Sequence, residues 1–547
     1  MALALGTTVF FGCTVGGNDP DKGDGGNTTL PDDNEVNDGI DWLSPESEYE
    51  GVSADGYVKG KIIDFTQYKD TEAYRKVATA DELIEAIIDA KYVYSSTWDA
   101  DTNSVTQTLT NEGKVHVIEI TADIDLGFKL LDSKYTSSRT YVEDYCRGKE
   151  TNVAKFTMSD MYEESGISKI KIENTNNLLI YSKNGAKLTH GGFSILSCSN
   201  VVIRNIEMDE MWQWEDSASS STGAVGDYDA FGWAYVKVAH CEYIWIDHCT
   251  FGKSYDGQID YSNPVYNDAS TAFRSPYGAS GDNGLHISWC NFTSGSDDPN
   301  GYLYKMMQKI EEDYKSGGNN YLYYNALRDG GASFEDILYG IAIPQKKGFL
   351  CGDSGNGKTD YDYNLSLQIS FANCKFINLE DRIPKLRGGN AVMYNCVVDS
   401  LQYFTYRTAL KNRNAASLVS KVNSSWKCGL VSQGIVCGNG GSVYAQNCIY
   451  RGINELLKNN DKGGTTEGET VRTVNGGYRL VNCSYQKGET DASTTTNFTN
   501  SSTSTLKTEY FIWRTADGNQ PFEIESVELD TLEELLNSEK FGSGVRK

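Results

Sequence analysis

Short runs in which apolar and polar residues alternate recur through the middle of this chain. They read VVIRNIEM (201–208), YIWIDHCTF (243–251), LHISWCNF (285–292), ISFANCKF (369–376), AVMYNCVV (391–398), SVYAQNCIY (442–450) and YRLVNCSY (478–485). A period of two marks a strand with one buried face. Six of the seven runs contain a cysteine at the same late position. In four of those an asparagine stands just before it: Asn373, Asn395, Asn447 and Asn482. A unit of this size, repeated with loops of variable length, predicts a solenoid. The strands are short and few helical patterns separate them. The fold expected is therefore all-β, a right-handed single-stranded parallel β-helix with long loop insertions and short capping helices. In it the cysteines stack inside as small apolar groups, and the asparagines bond to one another at a turn. A β-sandwich with coincidental cysteines is the competing architecture.

One run carries the pattern into chemistry. In YIWIDHCTFGKSYDGQID (243–260), Ile244, Ile246 and His248 are expected to point one way and Trp245, Asp247 and Cys249 the other. Gly252 and Ser254 break the alternation. Asp256 and Asp260 follow, four residues apart.

The flanks read differently. Residues 1–13, MALALGTTVFFGC, are apolar but too few to span a bilayer. They resemble the end of a signal or lipoprotein leader, with Cys13 as a candidate lipid-anchor site. Residues 14–50, rich in Gly, Asp, Asn and Pro, predict a flexible acidic linker. Residues 51–547 are then one β-helix domain, secreted or held at the cell surface, and expected as a monomer. TADELIEAIIDA (79–90) predicts a capped helix, with Thr79 and Glu82 as a capping box and Leu83, Ile84, Ile87 and Ile88 as its apolar face. Such a helix can cover the open first coil. Strands are expected in 115–126 and 177–195. Insertions are expected at 210–226, with Trp212 and Trp214, and at about 298–342, with the helix LYKMMQKIEEDYK. Residues 487–507 predict a mobile Ser/Thr loop, and VELDTLEELLNSEKFGSG a terminal helix that starts at Asp530 or Thr531 and ends by Gly542.

Composition narrows the function. The net charge of −26 lacks the basic footprint of a nucleic-acid binder. An acidic ligand would need a local cationic patch or a bound cation. Apolar content is 39% and mean hydropathy −0.47, as in a soluble chain with polar loops. Thirteen cysteines include no CxxC pair, so a zinc site is not indicated. Most are expected as buried free thiols, with bridges between stacked neighbours left open.

Three clusters carry candidate chemistry: Asp256 with Asp260, PQKKGFLCGDSG (344–355) with Lys346 and Lys347, and RIPKLRGG (382–389) with Arg382, Lys385 and Arg387. Alone, the first is an ordinary solvated turn and the second an ordinary surface pair. Stacked coils would place all three on one face. Carboxylates there suit a hard cation, and guanidinium groups suit carboxylates.

Residues 77–400 resemble the pectate lyase family of polysaccharide lyases. The ordered matches are NNLLIYSKNGAKLTHGGFSI, NVVIRNIEM, WIDHCTF, DGQID, KKGFLCG and RIPKLRGG. The resemblance fades after about Cys396. It implies Asp256 and Asp260 as calcium ligands, Lys347 and Arg387 as substrate-binding residues, and Arg382 as the base. It implies Ca2+-assisted β-elimination on polygalacturonate or pectin, giving unsaturated oligogalacturonides, and structural roles for Asp247 and His248. The family usually has further acidic ligands before WIDH; Gly232 and Ala234 stand at those places here. Asp227 and Asp229 are the candidates to replace them. A pectin lyase for methylated substrate and an inactive glycan-binding β-helix remain as alternatives.

Overall fold

The computed structural model describes residues 40–46, 54–99, 104–126, 169–212, 214, 232–262, 284–319, 321–352, 364, 366–414, 432–459, 465–466, 469–470, 476–496, 511, 513, 519–539 and 542–547. Three stacked sheets, of ten, ten and eight strands, run along the molecule. The first extends from Tyr74–Val77 to Gly477–Val481. The second extends from Ile124–Asp125 to Thr494–Thr496, and the third from Lys169–Glu173 to Glu455–Asn459. Pairing between successive coils is parallel up to the last strand of the second sheet, as in Ser199–Arg204 against Glu242–Asp247. The expected parallel β-helix is the fold, and a sandwich of antiparallel sheets is excluded. Residues 242–262 form one complete coil: Glu242–Asp247 lies in the first sheet, Thr250–Phe251 in the second and Ile259–Ser262 in the third.

Alternation in the sequence becomes columns in space. Leu178, Val201, Ile244, Leu285, Ile369, Ala391, Val443 and Tyr478 stack in register and line the interior. Ile180, Ile203, Ile246, Ile287, Phe371, Met393, Ala445 and Leu480 form a second such column. Each coil therefore buries its apolar face on the coils above and below.

The turn from the first sheet to the second explains the asparagines. In seven coils the residue at this turn has positive φ: Asn205, His248, Trp289, Asn373, Asn395, Asn447 and Asn482, all between 46° and 55°. Asparagine tolerates this left-handed geometry better than most side chains. Side-chain bonding between neighbours is the lesser part of its role. Asn482 Nδ2 donates to Asn447 Oδ1 at 2.8 Å, whereas Asn205 and Asn395 bond to the C-terminal tail. The same turn corrects the orientation expected in WIDHC. The left-handed residue His248 shifts the phase, so Cys249 joins Ile244 and Ile246 in the interior. All ten cysteines among the described residues are buried and free.

The first sheet's outer face is covered, in part by residues 40–46, which are packed there and so do not belong to the flexible linker expected over 14–50. Trp42, Leu43, Val58, Ile62 and Phe65 pack on Val117, Leu179, Tyr181, Val202 and Trp245. Beneath them lies a fully buried polar group. Arg204 Nε donates to Asp247 Oδ2 at 2.9 Å, and its Nη1 donates to the carbonyls of Trp42 and Ser44 at 3.0 and 2.9 Å. Ser288 Oγ donates to Asp247 Oδ1 at 2.7 Å and accepts from Trp245 Nε1 at 2.8 Å. The guanidinium also lies against the faces of Trp42 and Trp245. Asp247 is held well below the usual carboxylate range despite its burial, by His248 and Arg204. WIDH is thus a structural motif in this position.

One helix lies against the first coil and others fill the insertions. Ala80–Asp89 is capped by Thr79, whose hydroxyl accepts from the Glu82 amide, while Glu82 Oε2 accepts from the Ala78 amide rather than that of Thr79. Leu83, Ala86 and Ile87 are buried, but Ile88 is 63% exposed. Its bearing is about 140° from Leu83 on a helix wheel, outside the buried stripe. Tyr302–Lys315, Leu322–Asp329 and Phe334–Ile337 are helices. They pack with Trp212 and Trp214, which join the core; Trp214 stacks on Tyr323 with ring centroids 5.5 Å apart. Thr494–Thr496, within the segment expected as loop, pairs antiparallel with Cys483–Gln486. The terminal helix is Leu532–Asn537, shorter than expected and without a side-chain cap bond from Thr531. The candidate lipid-anchor residue Cys13 and the candidate replacement ligands Asp227 and Asp229 lie outside the described residues.

The tail runs back along the asparagine turn. Val527 N donates to Asn395 Oδ1, Gln446 Nε2 to Ser526 Oγ, and Ser543 Oγ to Asn291 Oδ1. Gly544 N donates to the Trp289 carbonyl, Val545 N to Thr250 Oγ1, and Arg546 N to Asn205 Oδ1.

Arg204→Ala leaves Asp247 buried without its guanidinium. It should cost about 3–5 kcal/mol, read as a lowered urea midpoint by circular dichroism.

Candidate active site

Asp256 sits in the turn that leads from the second sheet to the third, and Asp260 in the strand Ile259–Ser262. One coil on, Gln345–Lys347 pairs with Leu379–Asp381, with Lys347 opposite Asp381. Arg382 follows directly. Lys385–Arg387 then continues the third sheet beside Phe349–Cys351. Register places Lys237, Asp260, Leu350 and Lys385 in one column of that sheet. The winding of the chain therefore gathers clusters more than a hundred residues apart in sequence.

The side chains meet. Lys347 Nζ forms an ion pair with Asp256 Oδ1. Lys237 Nζ lies 4.0 Å from Asp260 Oδ2. A Cβ built on Gly257 would stand 3.1 Å from Asp260 Oδ1 and 3.8 Å from Arg382 Nη1, so carboxylate and guanidinium face one small space. Arg382 is 7% exposed, and its Nε and Nη1 are buried without a hydrogen-bond partner among the described residues. Its φ is +63°, a strained conformation for a non-glycine residue, and its amide donates to Asp381 Oδ1 at 2.7 Å. Gly348 allows this strand to approach: a Cβ there would meet the Arg382 carbonyl at 2.7 Å. All five residues singled out from the sequence lie in this region, with Arg387 two positions beyond Lys385 on the same strand.

The local field is mixed. Burial and the neighbouring Asp256 push the Asp260 carboxyl up, against the pull of Lys237, Arg382 and Lys347. Lys385 is pushed down to about 8, first by burial; repulsion from Arg382, Arg387 and Lys347 adds to this, and Asp381 opposes it. Four cationic side chains thus crowd together beside the third sheet.

Sequence reasoning missed two contributors. Gln345 is fully buried. Its Nε2 donates to Ser254 Oγ, the Asp256 carbonyl and the Lys347 carbonyl at 2.9, 2.7 and 2.7 Å, and its Oε1 accepts from Ser254 N at 3.0 Å. It ties the Asp256 turn to the Lys347 strand. No local pattern announces it, because its partners on the Asp256 turn lie about ninety residues away in sequence. Lys237 is the other, readable only from register with Asp260.

Among the described residues no group of three or more His, Cys, Asp or Glu side chains converges as a metal site. Asp256 and Asp260 still fit a hard cation. Both are oxygen donors, and Asp260 Oδ1 is a buried oxygen without a hydrogen-bond partner among the described residues. Two carboxylates are an incomplete shell, which carboxylates of a ligand would complete.

Beside the third sheet of a parallel β-helix, a carboxylate pair thus faces lysine and arginine. The chain is 30% identical over 341 residues to pectate lyase B of Paenibacillus amylolyticus, across 62% of this chain and 76% of that protein. It is 28% identical over 187 residues to the pectate trisaccharide-lyase of Thermotoga maritima, across 29% of this chain and 43% of that one. A solved pectate lyase from Paenibacillus sp. 0602 aligns with a TM-score of 0.64 at 25% identity, over 90% of this chain and 95% of its own. No family profile matches. The chain belongs to the pectate lyase family and is a polysaccharide lyase.

Gln345→Ala should unpin the Asp256 turn while leaving every charged group in place. Stability should fall by about 1–3 kcal/mol and the lyase rate by roughly tenfold or more, measured by denaturation and by initial rates.

Proposed function

We propose that the protein cleaves α-1,4-linked galacturonan by calcium-assisted β-elimination and releases unsaturated oligogalacturonides. The observation that carries this reading is the buried guanidinium of Arg382, with open donors, facing Asp260 beside Lys347. A uronate unit has an acidic C5–H beside its carboxylate and a glycosidic oxygen on C4. Arg382, in its neutral form, takes the C5 proton. The electron pair forms the C4–C5 double bond, the C4–O4 bond breaks, and the departing oxygen takes a proton from solvent.

The residues divide the work by charge. Arg387 and Lys347 hold the uronate carboxylate, where negative charge grows as the proton leaves. A guanidinium base is unusual, because arginine ordinarily stays charged. Asp256 and Asp260 are the residues that would hold calcium, which when bound supplies Lewis-acid stabilisation of the same carboxylate. We further infer export to the cell surface or beyond, supported by the leader-like residues 1–13.

Arg382→Ala should lower turnover on polygalacturonate by roughly a thousandfold or more, with an unchanged circular dichroism spectrum. The assay is ultraviolet absorbance of the unsaturated uronate end; normal turnover in that variant removes Arg382 from the base role. Lys385, charged below its value of about 8 and neutral above it, favours polyanion binding only on the acid side. KM for polygalacturonate should rise as pH passes through about 8. In Lys385→Met, KM should be high already and lack that step.

A further inference from the structure

The carboxylate pair has a cationic neighbour where an acidic one is expected. The amide of Asp256 donates to the Trp233 carbonyl at 3.0 Å, so positions 232 and 234 flank the pair. Those positions hold Gly232 and the buried Ala234, neither able to supply a ligand oxygen from its side chain. A Cβ built on Gly232 would lie 3.9 Å from Lys237 Nζ. The lysine ammonium therefore stands in the space that a carboxylate at 232 would enter. From there it reaches Asp260 Oδ2 at 4.0 Å. Lys237 and Asp260 are directly paired across neighbouring strands, so this closeness is set by backbone register. On the other side, Lys347 is paired with Asp256.

Two carboxylates thus face two ammonium groups, with Arg382 close by. Among the described residues such a site lacks the net negative charge that draws a divalent cation from solution, and affinity for calcium follows ligand charge count. It does suit a polyanion. We propose that Lys237 is a fixed cation at the Asp256–Asp260 pair: it weakens calcium binding by the resting enzyme, so that the ion binds together with the carboxylate polymer. This rests on the calcium reading of that pair given above. Lys237 acts here as a positioning residue, through Asp260.

The test is calorimetric titration of the full-length protein with calcium alone, without polymer, for the wild type, Lys237→Met, Asp260→Asn and the double variant. Circular dichroism confirms folding of each. The expected result is weak uptake by the wild type, a roughly tenfold tighter constant in Lys237→Met, and loss of that gain in the double variant. The calcium concentration at half-maximal rate should fall in Lys237→Met as well. Equal calcium constants in the wild type and Lys237→Met, with binding lost in Asp260→Asn, overturn the role of Lys237 and leave the calcium pair standing. Micromolar binding by the wild type without polymer also overturns it. No calcium uptake by any of the proteins, with polymer cleavage intact, removes both the pair as a calcium site and the role of Lys237.

Discussion

Register between stacked coils is the constraint on which everything else rests. Each coil is too small to bury its own apolar face, so it must sit squarely on the next. That requirement aligns Leu178 with Val201 and Ile244, and equally aligns Lys237 with Asp260. The interior columns pull the coils into alignment. The exterior columns inherit that alignment at no further cost. Chemistry on the third sheet is therefore positioned by hydrophobic contacts inside the molecule.

The same logic explains why so much of the fold is legible from sequence. Alternation and a recurring cysteine mark the strands, because each coil repeats one buried pattern. The asparagines mark the turn, since a left-handed residue stands there in seven coils. Where other side chains take that position the signal fails: His248 and Trp289 hide the turn, and the orientation of Cys249 is misread in consequence. Ile88 is misread for a similar reason, an apolar side chain just past the edge of the buried stripe.

The site divides in the same way. Asp256, Asp260, Lys347, Arg382 and Arg387 stand in short charged motifs that resemble those of a known family, so each is visible in the sequence itself. Gln345 and Lys237 are not. Gln345 serves through backbone carbonyls on two coils, and Lys237 through a neighbour on the next strand. Both depend on which coil lies on which, and that pairing depends on the lengths of insertions that carry no pattern. WIDH shows the reverse case. A motif with catalytic-looking residues is spent on anchoring residues 42–44 to the first sheet.

The returning tail changes what kind of object this rod is. A plain stack of repeats can fray from either end, each layer leaving on its own. Here one stretch of chain is laced to layers near Asn395, Asn291, Thr250 and Asn205. Loosening a middle layer strains its neighbours through the lace. A modular column is thereby given the cooperativity of a closed body.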